Sequence, residues 1–415
     1  MIFPDNINKS FDSIKYVGTF FQNLLGLYQH YELKSLDKSK VLNKNLSLIE
    51  NSTSLKDYYK SFNRLLVLLN DVHFQLKLPK NETKTILPVY FNFIEDSFEV
   101  TAVFDTTLAQ HIKNGDRLVA INNIQIDTLI NLISDEVYAA SKTQRIEKTA
   151  LKLLELAYIY FQDTLLALNI IRSNSCLKYT YNIDSASIYK NYISEVPENF
   201  IPSTRHKNIR DIAYLYINKF DYNLIPFWHS YLDSIKDSNA LIIDLRSNPG
   251  GDLSSLYLST FFLKKQREVA MIPMKFIDQL FNPDTPEYQK IIVRPDKRYY
   301  YKKTVILLIN SRTTCSAEFF INTLKKYGNN IIIMGASNTA GQAQFLKHIS
   351  LPPYDRLNPE LSFYLNKTFD AYGNDIDESR GIHPDLLIDI SSYKDLMPYK
   401  DKILQKAISF FKKCP

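Results

Sequence analysis

The segment with the clearest potential for chemistry is a turn that contains two consecutive glycines. It reads Asn-Pro-Gly-Gly over residues 248–251 and follows a strand-like run at 241–245 that is apolar except for Asp244. Proline fixes one backbone angle and lacks an N–H donor, whereas glycine allows a positive φ and close approach of another backbone. A buried strand that ends at Gly250 and Gly251 can therefore direct backbone N–H groups at a developing oxyanion. The alternative is a tight turn that only reverses the chain.

A second segment joins an apolar strand-like run at 305–309 to Asn-Ser-Arg-Thr-Thr-Cys-Ser-Ala-Glu at 310–318. A Cys or Ser at the start of a helix lies near unsatisfied N–H groups and the positive end of the helix dipole. Both effects favour a thiolate, an alkoxide or an oxyanion. Cys315 and Ser316 are therefore candidate nucleophiles. In the alternative, Thr313 or Thr314 only caps the helix and Cys315 is a small buried residue.

Three later segments complete an ordered set of motifs. They are Gly-Ala-Ser-Asn-Thr-Ala-Gly-Gln at 335–342, Asp-Glu-Ser-Arg-Gly-Ile-His-Pro-Asp at 377–385, and a helix-like stretch at 399–407. In this order the segments resemble the C-terminal processing (tail-specific) peptidase family, which also contains the catalytic core of tricorn protease. The family motifs are D-L-R-x-N-x-G-G, T-x-S-A-x-E, G-E-x-T-x-G-K, G-[VI]-x-P-D and D-x-x-L-x-x-A. The resemblance covers about residues 60–410.

The resemblance implies an α/β fold related to Clp protease and crotonase, with a helical N-terminal domain and a PDZ-like peptide-binding element. It implies hydrolysis of peptide bonds, often near protein C-termini, by acyl transfer from a serine. A lysine is the general base in one branch of the family and a histidine in the other. No cofactor is implied, and the expected partner is a peptide or an unfolded protein.

The general base implied by the resemblance is His73. Gln342 stands where the lysine branch has its base, and an amide cannot accept the proton of the nucleophile. The sequence Asp-Val-His-Phe-Gln-Leu at 71–76 is similar to the D-x-H-x-x-L segment of the tricorn-like branch. An imidazole titrates near neutrality, which suits this role. Glu378, three residues before Gly381, stands where that branch has a Glu that supports the histidine; a solvated acidic loop is the alternative.

The resemblance leaves two residues open as the nucleophile. Aligning Glu318, Leu324 and Gly328 with the family helix puts Cys315 at the serine position, whereas counting back from Gly335 puts Ser316 there. In either frame the oxyanion hole consists of the backbone N–H of Gly250 or Gly251 and that of the residue after the nucleophile. A further reading is a catalytically degenerate relative that binds peptides or acts as a scaffold.

The elements that position these residues belong to domains of different secondary structure. Helical spacing of apolar residues predicts a helical domain over 1–80. Over 81–185, Gly-Asp at 115–116 followed by a strand, an Asn-Asn turn and a helix from Thr128 resembles the end of a PDZ module, which implies a PDZ-like segment with following helices; an ordinary β-turn-β unit is the alternative. Alternating strands and helices predict an α/β catalytic domain over 186–415. Within these domains we expect helix over 143–172 and a long loop or insertion over 266–300.

Composition excludes several classes of protein. A net charge of +6 over 415 residues, with no basic run interleaved with aromatics, does not predict nucleic-acid binding. Three scattered cysteines argue against a disulfide framework, and seven dispersed histidines do not predict a metal site. No apolar run reaches the roughly 20 residues that span a bilayer. The polar start at 1–10 does not resemble a signal peptide, so we expect a cytoplasmic protein unless a leader has been removed.

Overall fold

The structure is a computed structural model of the 415-residue chain. It describes the following residues: 47–49, 51, 61, 64, 75–77, 89–94, 97–103, 106–134, 137, 139, 144–146, 148–149, 165–182, 205–209, 211–273, 288–341, 347–350, 360–363, 381–396 and 400–413. The chain divides into two compact units. The first consists of Met1–Phe91, Ala102–Ile193 and Phe345–Lys367, and the second of Asn92–Thr101, Ser194–Gln344 and Thr368–Pro415.

One sheet, built from residues 89–182, has the strand order β2-β3-β4-β6-β7, with β5 paired to β4. Its strands are β2 (Val89–Ile94), β3 (Ser97–Val103), β4 (Arg117–Ile121), β5 (Ile124–Gln125), β6 (Leu165–Arg172) and β7 (Ser175–Asn182). Two helices accompany them, α1 (Leu108–His111) and α2 (Ile126–Ser134). The expected strand, Asn-Asn turn and helix are present, and Asn122 and Asn123 both have positive φ, 48° and 63°. The helix begins at Ile126, two residues before the predicted start.

The prediction of helix over 143–172 is wrong for its last eight residues. Residues 165–172 form β6, which pairs antiparallel with both β4 and β7. Leu166, Leu168 and Ile170 are buried, whereas the residues between them are more exposed. This alternation has a period of two and is typical of a strand with one buried face. A run rich in Leu and Ile fits both the helical period of about 3.6 residues and the strand period of two. Pairing with β4 and β7 therefore decides that residues 165–172 form a strand.

A separate three-stranded antiparallel sheet lies in the first unit, in the order β1-β16-β15. Its strands are β1 (Gln75–Lys77), β15 (Lys347–Ser350) and β16 (Glu360–Phe363). Residues far apart in sequence therefore meet here, since Leu76 is opposite Leu361. The greater part of the predicted helical domain at 1–80 lies outside the described residues.

The second unit is built around a six-stranded sheet in the order β17-β14-β13-β10-β9-β8. The strands are β8 (Arg205–Ile209), β9 (Ile212–Tyr216), β10 (Ala240–Asp244), β13 (Val305–Ile309), β14 (Ile331–Gly335) and β17 (Leu386–Leu387). The helices are α3 (Ile225–Ser234), α4 (Ser254–Ser259), α5 (Ser316–Tyr327) and α6 (Lys402–Lys413), with 3-10 turns at Tyr222–Leu224, Thr260–Phe262 and Tyr393–Leu396. The order of strands and helices agrees with the α/β prediction for this region.

The inner parallel strands of this sheet are largely apolar because both of their faces are covered. The pairs β9–β10, β10–β13, β13–β14 and β14–β17 are parallel. Alternate residues point to opposite faces: Leu241 and Ile243 pack with α3, α4 and α5, whereas Ile242 packs with α6. Continuous apolar runs are typical of parallel strands buried on both faces. Since β10 and β13 are parallel neighbours, the turns that follow them meet at one edge of the sheet.

The predicted loop at 266–300 contains two strands instead. β11 (Arg267–Pro273) and β12 (Tyr288–Val293) pair antiparallel, with a register shift between Glu268 and Ala270. The sequence prediction failed because Lys, Tyr and Pro surround the two strands. Among these residues Val269, Ala270 and Val293 are buried, which shows that the hairpin packs one face onto the unit.

Candidate active site

The turn after β10 is held by the side chain of Asn248, which is fully buried. Its Nδ2 donates to Ile217 O at 2.9 Å, and its Oδ1 accepts from the N–H of Gly250 at 2.8 Å. Its backbone carbonyl accepts from Thr314 N at 3.0 Å. Asn248 thus links the glycine turn both to the strand end at β9 and to the turn after β13.

The two glycines of the turn are required by their surroundings. Gly250 has φ 97°, and a Cβ on it would lie 2.6 Å from Cys315 Cβ. Gly251 has φ 133°, and a Cβ there would lie 1.9 Å from Phe220 O. Such distances are not possible for a real side chain, and both φ values are unfavourable for any residue with a Cβ. Gly250 therefore lets the turn contact the segment that carries Cys315, and Gly251 lets it contact the backbone at Phe220.

Two backbone N–H groups at this contact have no acceptor in the described part of the chain. Phe220 N donates to Gly250 O and Asp252 N donates to Phe220 O, so this parallel bridge does not use the N–H of Gly251. The N–H of Ser316 is at the first position of α5, where helices leave N–H groups unsatisfied. The N–H of Gly250, in contrast, is bonded to Asn248.

Cys315 has a backbone conformation that is rare for a residue with a side chain. It lies at the N-cap of α5 with φ 58° and ψ −125° and is half-buried. Residues held in such conformations occur where the surrounding structure over-determines them, and they cluster at active sites. Here Thr313 provides part of that constraint, because its Oγ1 donates to Leu245 O at 2.8 Å and its carbonyl accepts from Ala340 N at 2.9 Å.

Ser316, the other candidate nucleophile, has a different environment. Its relative exposure is 3 %, and its Oγ is buried with no hydrogen-bond partner among the residues that the structure describes. The side chain belongs to the first turn of α5, inside the unit. The hydroxyl therefore lacks both the exposure and a nearby described base, whereas its backbone N–H remains available.

Glu318 connects three parts of the site through one buried carboxylate, with a relative exposure of 1 %. Oε2 accepts from Cys315 N at 3.1 Å, and Oε1 accepts from Thr339 Oγ1 at 2.5 Å and from Gly341 N at 2.7 Å. In the sequence, Glu318 marks only the alignment of the helix with the family motif. A Glu three residues after a helix N-cap is the signal that could have revealed its bond to Cys315.

The segment around Gly381 is held against Thr339. Gly381 has φ 71°, and a Cβ on it would lie 2.0 Å from Thr339 O. Thr339 N donates to Ile382 O at 3.1 Å, and Ile382 N donates to Thr339 Oγ1 at 2.7 Å. Thr339 was not identified from the sequence, because its partners are distant along the chain. Its hydroxyl links the Gly381 segment to Glu318 and so to Cys315.

Two predicted site residues, His73 and Glu378, lie outside the described residues, as does Gln342. His73 precedes strand β1 by two residues and Glu378 precedes Gly381 by three. Among the residues that the structure describes, no group of three or more His, Cys, Asp or Glu side chains could hold a metal ion. No helix in the described part of the chain is long and apolar enough to cross a membrane.

A buried ion cluster lies where β10 passes into the glycine turn. Arg246 donates through Nε to Asp244 Oδ1 at 2.9 Å and through Nη1 to Asp401 Oδ1 at 2.9 Å. Burial alone would lower the pKa of Arg246, but Asp244 and Asp401 raise it well above its usual value. Tyr214 Oη donates to Asp244 Oδ2 at 2.8 Å, and burial, followed by the charge of Asp244, raises the pKa of Tyr214.

Comparison with known proteins agrees with this geometry. Residues 211–388 match the family model described as peptidase family S41. The match supports a serine-type peptidase and a proteolytic function in general terms. No curated protein matches the sequence.

Solved structures show the same fold over most of the chain. A structure of mature CPAF complexed with lactacystin is 15% identical, with a TM-score of 0.74 over 95% of this chain and 97% of that one. A putative peptidase from Parabacteroides merdae ATCC 43184 is 15% identical, with a TM-score of 0.53 over 97% of both chains. A putative S41 protease from Bacteroides fragilis NCTC 9343 is 15% identical, with a TM-score of 0.51 over 100% of both chains. At these identities the likeness is one of fold.

Proposed function

We propose that the chain is a peptidase of the tail-specific, tricorn-like kind in which Cys315 is the nucleophile. The observation that carries this proposal is the strained conformation of Cys315, φ 58° and ψ −125°, at the start of α5 and in contact with Gly250. A nucleophile of this kind lies on a strained strand-to-helix turn with its reactive atom accessible, and Cys315 is half-buried at such a turn. The hydroxyl of Ser316, in contrast, is buried.

The reaction would be an acyl transfer through a thioester. Cys315 Sγ, deprotonated by His73, attacks the carbonyl carbon of a peptide bond, and the negative charge moves to the carbonyl oxygen. The N–H groups of Gly251 and Ser316 stabilise this oxyanion; Gly250 contributes close approach, because its own N–H is bonded to Asn248. The C–N bond then breaks and His73 protonates the leaving amine. In the second half, His73 takes a proton from water, the water oxygen attacks the thioester carbonyl carbon, and the C–S bond breaks to release the carboxylic acid product and the Cys315 thiolate, which His73 reprotonates.

Local electrostatics support a thiolate at Cys315 and a separate base. The N-terminus of α5 has the positive end of a twelve-residue helix, which stabilises an anion on its N-cap residue. The carboxylate of Glu318 is bonded to Cys315 N, Thr339 and Gly341 and therefore acts on the backbone of this turn. We propose His73 as base and Glu378 as the group that orients and stabilises its imidazolium.

The domain assignments are also proposed. We infer a helical domain over 1–80, a PDZ-like element within 81–185 and the catalytic domain over 186–415. The Gly-Asp start of β4 and the turn at Asn122 and Asn123 support the PDZ-like reading. PDZ-like elements bind the C-terminal carboxylate of a peptide. Peptides with a free C-terminus should therefore be cleaved with a lower KM than the same peptides with an amidated C-terminus, and equal KM values would contradict the assignment.

Turnover of an unstructured peptide by site variants tests the nucleophile. Cys315→Ala should abolish turnover, whereas Ser316→Ala should keep more than a tenth of it because the backbone N–H is retained. Iodoacetamide should label Cys315 and inactivate the protein in parallel. Cys176→Ala is the matched control, since Cys176 is an exposed thiol outside the site and its loss should change neither measurement. Full activity in Cys315→Ala, or inactivation by a serine-reactive probe at Ser316, would overturn the assignment.

A second candidate function is peptide binding without hydrolysis. It is favoured by Gln342, which stands where one branch of the family has its catalytic lysine. This reading predicts that the wild-type protein and Cys315→Ala bind an unstructured peptide equally and that neither cleaves it. Any turnover that depends on Cys315 excludes it.

A further inference from the structure

The ion cluster at the exit of β10 joins three separate parts of the chain. Asp244 ends β10, Arg246 enters the glycine turn, and Asp401 immediately precedes α6. Arg246 Nη2 lies 2.5 Å from Asp244 Oδ2 and 2.6 Å from Asp401 Oδ2. The side chains of Asp244, Asp401 and Arg246 are 1 %, 10 % and 18 % exposed. One guanidinium thus binds both carboxylates in two-pronged geometry, which fixes its orientation as well as its position.

The charges of this cluster are balanced by the start of α6. Two carboxylates and one guanidinium leave one net negative charge in a buried place. Asp401 Oδ1 accepts from Leu404 N at 3.0 Å, so this carboxylate caps α6 and faces the positive end of its dipole. Tyr214 donates a further hydrogen bond to Asp244. The cluster is therefore complete only when α6 is docked.

The cluster stands directly before the residues that form the contact with Cys315. Arg246 is followed by Ser247, which has φ 61° and whose N donates to Asn310 Oδ1 at 2.8 Å. Asn248 and the two glycines come next. A change in backbone direction at Arg246 would therefore displace the N–H of Gly251, because only a few residues separate the two. A displacement of about 1 Å at such a donor is enough to reduce catalysis severely.

We propose that Arg246 is a positioning residue through which the start of α6, by way of Asp401, fixes the direction of the oxyanion turn. This inference rests on the proposed function for the meaning of that turn. A buried ion pair contributes little net stability compared with packed apolar side chains, whereas its two-pronged geometry specifies direction. The C-terminal helix is then part of the catalytic apparatus although it supplies no reacting group.

The test is Asp401→Asn in the full-length protein. Asparagine caps helices as well as aspartate does, so the start of α6 is retained while the charge that binds Arg246 is lost. Lys402→Ala is the matched control: Lys402 is the next residue, is 43% exposed and pairs with Asp395 at 3.6 Å. Arg246→Lys is the second variant, because lysine keeps the positive charge but cannot bind a carboxylate through two nitrogens at once.

Three measurements separate positioning from general damage. Peptide turnover requires the oxyanion hole, whereas alkylation of Cys315 by iodoacetamide forms no oxyanion and requires only the thiolate. We expect kcat to fall about tenfold or more in Asp401→Asn, with KM within threefold and the alkylation rate within twofold of wild type. Hydrogen exchange of the backbone amides over 246–251 should accelerate about tenfold or more, while β13 is unchanged. Lys402→Ala should match wild type in all three.

The inference is wrong if Asp401→Asn and Arg246→Lys keep wild-type kcat and wild-type exchange over 246–251. It is also wrong if alkylation slows in parallel with turnover, because the whole site is then distorted. Absence of turnover in wild type would defeat the proposed function instead. In that case exchange over 246–251 alone decides: faster exchange in Asp401→Asn than in Lys402→Ala supports the inference, and equal exchange overturns it.

Discussion

The turn after β10 and the turn after β13 begin alike and end differently. Both follow five-residue parallel strands that are buried throughout, and both contain a non-glycine residue with positive φ, Ser247 at 61° and Cys315 at 58°. The first turn then continues into Gly250 and Gly251, whereas the second enters α5. One turn offers only backbone N–H groups, and the other offers a side chain together with an N–H group.

This difference separates steric from chemical requirements. In the glycine turn no side chain reaches the site, so a substitution acts by occupying space and by straining φ. In the turn of Cys315 the side chain is the reactive group of the proposed mechanism, so a substitution there is expected to act on chemistry, while the strain is a property of the backbone. The two turns should therefore respond in opposite ways to the exchange of glycine and alanine.

The largest effect should come from adding a methyl group to the glycine turn. In Gly251→Ala the new Cβ would meet Phe220 O, and in Gly250→Ala it would meet Cys315 Cβ. Overpacking and backbone strain together should lower the free energy of unfolding by about 3 kcal/mol or more. Urea unfolding checks this, and peptide turnover should disappear in both variants. Gly115→Ala controls for strain alone, since Gly115 also has positive φ, 91°. Equal stability losses at Gly251 and Gly115 would mean that the contact with Phe220 has no effect.

Glu318→Gln should have the next largest effect, because it acts on the turn of Cys315 through the backbone. The amide keeps one acceptor oxygen but presents an N–H₂ group to at least one of the three donors, Cys315 N, Thr339 Oγ1 and Gly341 N. Leaving a buried donor unsatisfied should lower the free energy of unfolding by about 2 kcal/mol.

Thr339→Val is the companion variant for Glu318→Gln, because it keeps the carboxylate but removes two hydrogen bonds, from Thr339 Oγ1 to Glu318 and from Ile382 N to Thr339 Oγ1. Its loss of stability in urea unfolding should be of similar size, about 2 kcal/mol, whereas the alkylation rate of Cys315 should stay near wild type because Glu318 still accepts from Cys315 N. Alkylation of Cys315 should slow in Glu318→Gln, since the thiol is no longer held in place. A Glu318→Gln protein with wild-type stability and alkylation rate would show that the carboxylate does not hold this turn.

The sequence predicted the elements of the second unit well and their contacts poorly. β10 and β13 were predictable because a largely apolar run of five residues precedes a turn with polar or glycine residues. The contact between Gly250 and Cys315 was implied by the family resemblance, but the strained φ of Cys315 is set by bonds from Asn248, Thr313 and Glu318, which arise only in the folded chain. The anchoring role of Thr339 was missed for the same reason. In contrast, β6 and the β11–β12 hairpin were missed because their local composition fits other structures.

Replacing Cys315 by glycine tests directly whether the two turns differ in backbone strain. Cys315→Gly should relieve the strain at φ 58°, whereas Cys315→Ala keeps it. Strain of this kind costs about 1–3 kcal/mol, and the greater freedom of glycine in the unfolded chain offsets part of the gain. The Gly variant should therefore be about 1 kcal/mol more stable than the Ala variant, the reverse of their order at Gly250. Both variants lack the thiol and should be inactive. A less stable Gly variant in urea unfolding would contradict strain at this position.

The smallest effect should come from the far side of the glycine turn, where Tyr214 supports Asp244. Tyr214→Phe removes one hydrogen bond of 2.8 Å to a carboxylate that Arg246 still binds through two nitrogens. Because Asp244 remains satisfied, the free energy of unfolding should fall by only about 0.5–1 kcal/mol. Turnover should stay within threefold of wild type, since the direction of the turn depends on Arg246 and Asp401. A loss of turnover as large as that of Asp401→Asn would instead mean that Asp244, rather than the start of α6, determines where the oxyanion donors point.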